Sequence, residues 1–446
     1  MGKLFGTDGV RGIVLKELDV LLAMKIGAGA ARVLKGNDKQ ITFLVGTDTR
    51  LSKDVLKNAL VAGVLSENAN IIDLGVIPTP AISYLIQKYD ADGGFVISAS
   101  HNPSEYNGIK IFNNQGFKLD DSIEEKIEEA ILNDFKFSNE ANLVGTYEYR
   151  EFAKKDYVEY LKNQVDGDFS SLKIAVDTAH GASYKTAELL FDSLGINYTL
   201  LNNEPDGYNI NENAGSTHLE GLQKYVVDHN CDCGIAFDGD ADRCLLVDEQ
   251  GNVIDGDYIL AIYGLFLKEQ NRLKNNTIVG TVMSNLGLVK FCEKNNINFV
   301  STKVGDRYVL ENMLEFDYII GGEQSGHIIF KELANTGDGE LTAIKMLEVM
   351  VKSNKKLSEL ASVMEKYPQV LRNVNVSKEF KETYKENERI NKVIEECNKE
   401  LNGDGRILVR ASGTENLVRV MLEGKEIGKI SELCEKIIKE IENEMN

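Results

Sequence analysis

Short β-branched runs alternate along most of this chain with segments whose apolar residues recur at helical spacing. That alternation predicts βα units around mostly parallel sheets. The early part is plain: residues 41–45 read as a strand, 54–66 as a helix, 71–74 as a strand, 81–89 as a helix begun after Pro78 and Pro80, and 94–97 as a strand. The polar, acidic stretch 120–142 predicts a helix and an exposed connection. A second series opens at Lys173–Asp177, passes through a helix near 183–194 and closes on Cys233–Phe237. A third follows Asp255, with strands at 277–282 and 298–300 and a turn at 321–327. Beyond Tyr367 and Pro368 the rhythm changes to a strand, a long charged helix over 378–401, two strands within 406–423, and a final helix with Leu433, Ile437, Ile438 and Ile441 inward. The fold class expected is α/β: three similar mixed α/β layers followed by a smaller α+β domain.

Composition sets the size and narrows the partners. At roughly 150 residues per domain, 446 residues suggest three or four domains, and 43% hydrophobic residues are enough to fill their cores. The 70 acidic residues against 50 basic ones give a net charge of -20, which repels nucleic acid and anionic lipid, and no basic run offsets it. The opening residues turn polar at once, and no stretch of about 18 apolar residues occurs, so a soluble, cytoplasmic protein is expected. Six cysteines and five histidines are scattered without zinc spacing, which favours buried or incidental thiols. His101 and His327 stand apart because they lie in glycine- and serine-rich loops.

Two segments carry the sharpest chemistry. Asp238, Asp240 and Asp242 alternate with small residues, so an extended segment would turn all three carboxylates to one side, suiting a hard cation such as Mg²⁺. A solvated hairpin turn is the plainer reading, but three crowded acids repel one another unless neutralised. Ser100 falls just past the end of a predicted strand, where open α/β sheets place ligands, and a positioned serine beside an oxygen-ligated metal is a sound way to move phosphate. Lys110 follows closely. It reads equally as a surface charge on a strand or as a proton-transfer group whose pKa of about 10.4 nearby cations would lower. Arg410, Ser412, Gly413 and Thr414 form a turn able to cradle an anion, with Arg419 as a second charge, or else an ordinary polar turn.

These motifs, in this order, resemble the phosphohexomutases of the α-D-phosphohexomutase superfamily along essentially the whole chain. The matching segments are 5–12 with Arg11, the loop 98–103, 238–243, 322–327 and 410–415. Gln324 and the amino-terminal motif favour the glucosamine branch over the mannose and glucose branches. The resemblance implies a heart-shaped molecule around a central cleft: domain I at 1–150 with the phosphoserine loop, II at 151–254 with the metal loop, III at 255–368 with the sugar loop, and IV at 369–446 with the phosphate loop. Ser100 would carry a phosphoryl group, primed by a bisphosphorylated sugar or a kinase. One Mg²⁺ would be held by Asp238, Asp240, Asp242 and the phosphorylated Ser100. Arg11, His101, Lys110 and Arg243 would surround the reacting phosphate, with Lys110 a general acid or base. Glu323 and Ser325 would orient sugar hydroxyls with His327 close by in the substrate site, and Arg410, Ser412, Gly413, Thr414 and Arg419 would grip the other phosphate. Asn416 stands where the family loop commonly has proline, which loosens that turn without removing a donor.

The implied reaction interconverts glucosamine 6-phosphate and glucosamine 1-phosphate through a bisphosphorylated sugar, for UDP-N-acetylglucosamine and cell-wall precursor synthesis. The implied partner is the sugar phosphate, with neither nucleic acid nor membrane, and a homodimer is left open. Two rivals use parts of the same site. A metal-dependent phosphatase would release free phosphate, and a non-catalytic sugar-phosphate sensor would lack a working nucleophile or metal cage.

Overall fold

A computed structural model describes residues 4–6, 8–35, 40–133, 135–137, 142–412 and 416–445. They fall into two compact units, Met1–Met283 with Asn296–Val363, and Ser284–Asn295 with Met364–Asn446.

The first unit contains three sheets built on one plan. In the first, Thr42–Thr47 pairs in parallel with Gly93–Ile97 and Asn70–Val76, and Asn70–Val76 with Tyr147–Tyr149; Tyr106–Asn113 and then Val10–Ile13 extend it antiparallel. In the second, Lys173–Asp177 pairs in parallel with Asn197–Leu201 and Cys233–Phe237, and Cys244–Asp248 and Val253–Ile254 run antiparallel beyond. In the third, Thr277–Thr281 lies parallel to Asn298–Thr302 and Ile320–Gly322, and Ile328–Phe330 turns back antiparallel. The sheets are therefore mixed rather than mostly parallel. Each parallel core ends in a hairpin, because an antiparallel return needs only a short turn where a parallel crossover needs a helix. The three hairpin loops, 98–105, 238–243 and 323–327, sit at the carboxyl end of a parallel strand, where such sheets place their ligands.

The central strands Gly93–Ile97 and Cys233–Phe237 are buried throughout, as strands covered on both faces must be. Helix Lys53–Ser66 buries Leu56, Leu60, Val61 and Val64 at helical spacing. Two helices, Gly256–Glu269 and Gly339–Ser353, were not legible as amphipathic segments. Nearly every residue of the second is buried from Gly339 to Met350, so no polar face marks its period.

In the second unit Leu417–Gly424 pairs antiparallel with both Gln369–Asn375 and Gly405–Ala411. Helices Glu388–Leu401 and Ile427–Met445 cover it through Ile390, Cys397, Leu401, Leu433, Cys434, Ile437 and Ile441, with Ile438 partly buried against the same core. The long charged helix expected over 378–401 is broken into Lys378–Thr383, the short turn Tyr384–Glu386, and Glu388–Leu401. Asn387 causes the restart, its side chain accepting the N–H groups of Arg389 at 3.0 Å and Ile390 at 3.1 Å. All six cysteines are buried and unpaired by disulfides. Among the described residues no helix is long and apolar enough to cross a membrane.

Candidate active site

Ser100 is 1% exposed and has a φ of +52°, a left-handed conformation that a non-glycine residue keeps only when its surroundings impose it. The imposing contacts are specific. The Ser100 N–H donates to Ser98 Oγ at 2.9 Å, Ser98 Oγ donates to Asp48 Oδ2 at 2.7 Å, and Arg50 Nε donates to the same Asp48 oxygen at 2.9 Å. Arg50 Nη2 donates to the carbonyls of Ser100 at 3.1 Å and Asn102 at 2.7 Å, and Nη1 to that of Pro103. Asn211 Nδ2 braces the Ser100 and Asn102 carbonyls again, at 2.9 and 3.1 Å. Arg50 is fully buried and needs its partner: burial pushes the Asp48 carboxyl up while the Arg50 guanidinium pulls it down. Sequence reasoning missed Asp48, Arg50 and Asn211. The available signal for the first two was their place just past the carboxyl end of a strand, the criterion that singled out Ser100.

The loop 238–243 brings its three carboxylates together, with oxygens of Asp238, Asp240 and Asp242 within 4.8 Å of one another. Curling achieves this, a freedom that the small residues Gly239 and Ala241 give the backbone. Ala241 has a φ of +56° and its N–H donates to the Asp238 carbonyl at 3.0 Å, so the segment is a turn. Gly239 lies against the serine loop, where a Cβ would stand 2.5 Å from the Ser100 carbonyl oxygen. Only glycine permits that approach. It places Ser100 Oγ 2.6 Å from Asp238 Oδ2, to which the hydroxyl donates. Thr79, also missed, donates its hydroxyl to Asp240 Oδ2 at 2.7 Å.

Burial, Asp242 and Asp240 together push the Asp238 carboxyl up to about 8, as expected of crowded anions with too little positive charge. Asp240 Oδ1 is buried and has no hydrogen-bond partner. Three hard oxygen donors with a buried lone pair unspent fit a divalent cation of the Mg²⁺ type.

Lys110, on strand Tyr106–Asn113, is 1% exposed and so not a surface charge. Its Nζ stands 2.9 Å from Asp240 Oδ2, 3.1 Å from Asp8 Oδ2 and 3.4 Å from Asp242 Oδ2. Burial favours the neutral amine, but Asp240, Asp8 and Asp242 outweigh it and hold the pKa well above the ordinary lysine value. The lowering expected from the sequence is reversed, because the carboxylates reach Nζ before any cation does.

Arg11 lies opposite Gly108 in the pairing of Val10–Ile13 with Tyr106–Asn113, and its guanidinium pairs with Asp8. Arg243 donates its N–H to Asp238 Oδ1 at 3.2 Å. The Nε atoms of both arginines are buried without a hydrogen-bond partner, which suits them to an anion. His101 Nδ1 is 3.4 Å from Ser100 Oγ. Burial, then Arg243 and Arg11, lower its pKa to about 4, so the ring is neutral at neutral pH.

The third hairpin turn is closed by the Glu323 N–H donating to the His327 carbonyl at 3.1 Å, and Glu323 Oε1 accepts the Gly305 N–H at 3.1 Å. Ser325 Oγ is buried with no hydrogen-bond partner, a free hydroxyl for a polyhydroxy ligand. His327 Nε2 lies 3.0 Å from Gly337 N and 3.5 Å from Asp306 Oδ2, and Nδ1 is 3.7 Å from Asp242 Oδ1; burial disfavours the charged ring, but Asp242 and Asp306 outweigh it and raise the pKa. Three domains' worth of expected residues thus meet in the first unit. In the second unit Arg410 and Arg419 face each other across adjacent strands. Burial and the Arg419 charge lower the Arg410 pKa, and like charges placed opposite each other invite an anion. The Ser412 N–H donates to the Leu417 carbonyl at 2.8 Å, and the Asn416 carbonyl accepts from Val376 at 3.0 Å. Gly413 and Thr414 lie outside the described residues.

Comparison with known proteins identifies the family of the chain. Residues 2–137, 155–251 and 255–367 match alpha/beta/alpha domains I, II and III of the phosphoglucomutase/phosphomannomutase family, and 371–440 match its C-terminal domain. A phosphoglucosamine mutase of Clostridium botulinum is 53% identical over 448 residues, covering 100% of both chains. A phosphoglucomutase/phosphomannomutase family protein of Burkholderia thailandensis has the same fold at a TM-score of 0.81 and 22% identity, covering 100% of this chain and 99% of that one. The N-acetylphosphoglucosamine mutase of Aspergillus fumigatus, solved with GlcNAc-6P and magnesium, aligns at a TM-score of 0.69 and 15% identity, over 99% and 96% of the two chains. Four domains matched in order, and more than half of all positions shared with a full-length relative, make this chain a member of the phosphoglucomutase/phosphomannomutase family, in its phosphoglucosamine mutase branch.

Proposed function

We propose that this isomerase interconverts glucosamine 6-phosphate and glucosamine 1-phosphate by way of a phosphorylated Ser100, with Mg²⁺ held by Asp238, Asp240 and Asp242. The observation that carries the reading is the 2.6 Å contact between Ser100 Oγ and Asp238, which puts a buried hydroxyl on a strained backbone beside the carboxylate cage. A bound Mg²⁺ would supply positive charge against the phosphoryl oxygens.

The chain's own residues account for the rest. Phosphoryl transfer to the sugar breaks the P–O bond to Ser100, forms one to a sugar hydroxyl and releases that hydroxyl's proton. Arg11 and Arg243 offer buried N–H groups to the charge on the transferring group, and positioning with charge stabilisation dominates such reactions. Lys110 is cationic and serves as proton donor to an oxygen that loses its phosphoryl group; the neutral His101 ring beside Ser100 is the acceptor. Glu323, Ser325 and His327 orient sugar hydroxyls. Arg410, Ser412, Gly413, Thr414 and Arg419 hold the phosphate that is not reacting, in a domain organisation of 1–150, 151–254, 255–368 and 369–446.

The test is direct. Protein treated with Mg²⁺ and a trace of glucosamine 1,6-bisphosphate should gain one phosphate by intact mass, mapped to Ser100, and phosphorus NMR should follow 6-phosphate becoming 1-phosphate. Free phosphate as the main product, or a label on another residue, would overturn the reading.

A further inference from the structure

Lys118 lies five residues beyond strand Tyr106–Asn113 and has no assigned task in the chemistry above. Its Nζ stands 2.5 Å from Asp8 Oδ1 and 2.6 Å from Asp306 Oδ2, with both pairs about four-fifths shielded from solvent. Asp306 opens the helix Asp306–Phe316 in the segment matched to domain III, whereas Lys118 and Asp8 belong to the segment matched to domain I. The next residue along makes the converse contact. Arg307 donates to the Leu119 carbonyl and to the Asp121 carboxylate. Each side thus gives one cation and receives one, a reciprocal clasp between two short segments 188 residues apart for its Lys118–Asp306 arm.

The clasp continues into the site. Asp306 Oδ2 is 3.5 Å from His327 Nε2, and His327 Nδ1 is 3.7 Å from Asp242 Oδ1. Asp242 Oδ2 is 3.4 Å from Lys110, and Lys110 is 3.1 Å from Asp8. Six side chains therefore close a ring that runs from the sugar loop through Lys118 and back to the carboxylate cage. Without Lys118, Asp8 would keep Arg11 and Lys110 but Asp306 would lose its lysine partner, and the sugar loop would lose its fixed distance from Lys110.

We propose that Lys118 and Asp306 are positioning residues for the transfer step, holding His327 and its loop in register with Lys110 and Ser100. They act through His327 and touch neither the sugar nor the phosphate. This inference rests on the mutase reading and adds residues to it. Misplacing a reacting group by about an ångström costs on the order of a hundredfold in rate, so loss of the clasp should be visible in turnover well before the fold fails.

The experiment is a double-mutant cycle on the full-length protein with Mg²⁺, with turnover expressed per phosphorylated Ser100. Asp306→Asn should lower kcat about tenfold or more in the parent but no more than about twofold in a His327→Ala background, because the route it acts through is already gone. Lys118→Met should reproduce Asp306→Asn, and Lys118→Arg, which keeps the bridging charge, should stay within about threefold of the parent. If Asp306→Asn does not fold, Lys118→Met is read in the same cycle. Penalties that multiply in the double mutant, or a parent-like rate for both single variants, would overturn the clasp while leaving the mutase reading intact. A parent protein that neither labels at Ser100 nor interconverts the sugar phosphates would instead overturn the mutase reading, and the clasp with it.

Discussion

Ser98 and Ser100 are joined by one hydrogen bond, in which the Ser100 N–H donates to Ser98 Oγ at 2.9 Å, and through it the proposed phosphoryl carrier is tied to the buried Asp48–Arg50 pair. Ser98→Ala leaves that N–H buried without its acceptor and removes one donor from Asp48. The expected cost is about 1–3 kcal/mol in stability, read by denaturant unfolding, with a fall in kcat as the +52° conformation of Ser100 relaxes. Phosphate should still map to Ser100. An unchanged midpoint and rate would show that the tie is dispensable.

Ser100→Ala should abolish interconversion while the melting temperature stays within a few degrees, since the change deletes one hydroxyl and its bond to Asp238. Its intact mass should gain no phosphate from the bisphosphate. Turnover at the parent rate would disprove the carrier assignment.

Asp240→Asn removes one charge from the cage and weakens the seats of Thr79 and Lys110, both of which donate to Oδ2. The Mg²⁺ concentration needed for half-maximal rate should rise by about tenfold or more, and chelation should stop the parent enzyme without unfolding it. Metal titrations of parent and variant that superimpose would argue for a plain acidic turn.

Arg410→Ala tests the second unit. Losing a charge-assisted partner of a bound phosphate costs roughly 2–5 kcal/mol, or about 30- to 5,000-fold. Because the same phosphate seat would serve both the 1- and 6-phosphate, kcat/KM should fall equally in the two directions and the bisphosphate should escape into solution. Phosphorus NMR run from each substrate measures this, and a loss in one direction only would contradict it.

Glu124 gives a pH signature away from the chemistry. It is 8% exposed, and burial pushes its carboxyl up to about 7 while Arg307 pulls the other way. A carboxyl whose folded pKa exceeds the ordinary 4.5 adds stability that is full below 4.5 and is lost as pH rises through 7. Glu124→Gln should therefore change little at pH 4.5 and stabilise by about 1 kcal/mol at pH 8, less than the full shift because solvent still screens the group. Equal effects at both pH values, read by thermal unfolding, would refute this.

Strands such as Lys173–Asp177 and Cys233–Phe237, the loops past their ends, and the hydroxyl, carboxylate and guanidinium groups in those loops were all determined by the sequence. Local propensity and residue chemistry suffice for that, because a β-branched run or an aspartate triplet declares itself within a few positions. The Gly339–Ser353 helix did not, since burial on all sides erased its period. Nor did the roles of Arg50, Lys118 and Asp306, or the charge state of Lys110. Those depend on which groups meet across intervals such as the 130 residues between Lys110 and Asp240, and only the packed chain sets both the distance and the loss of water that make such a meeting matter. A lysine on a strand is a solvated cation in one fold and the centre of three carboxylates in another; its neighbours in space decided which.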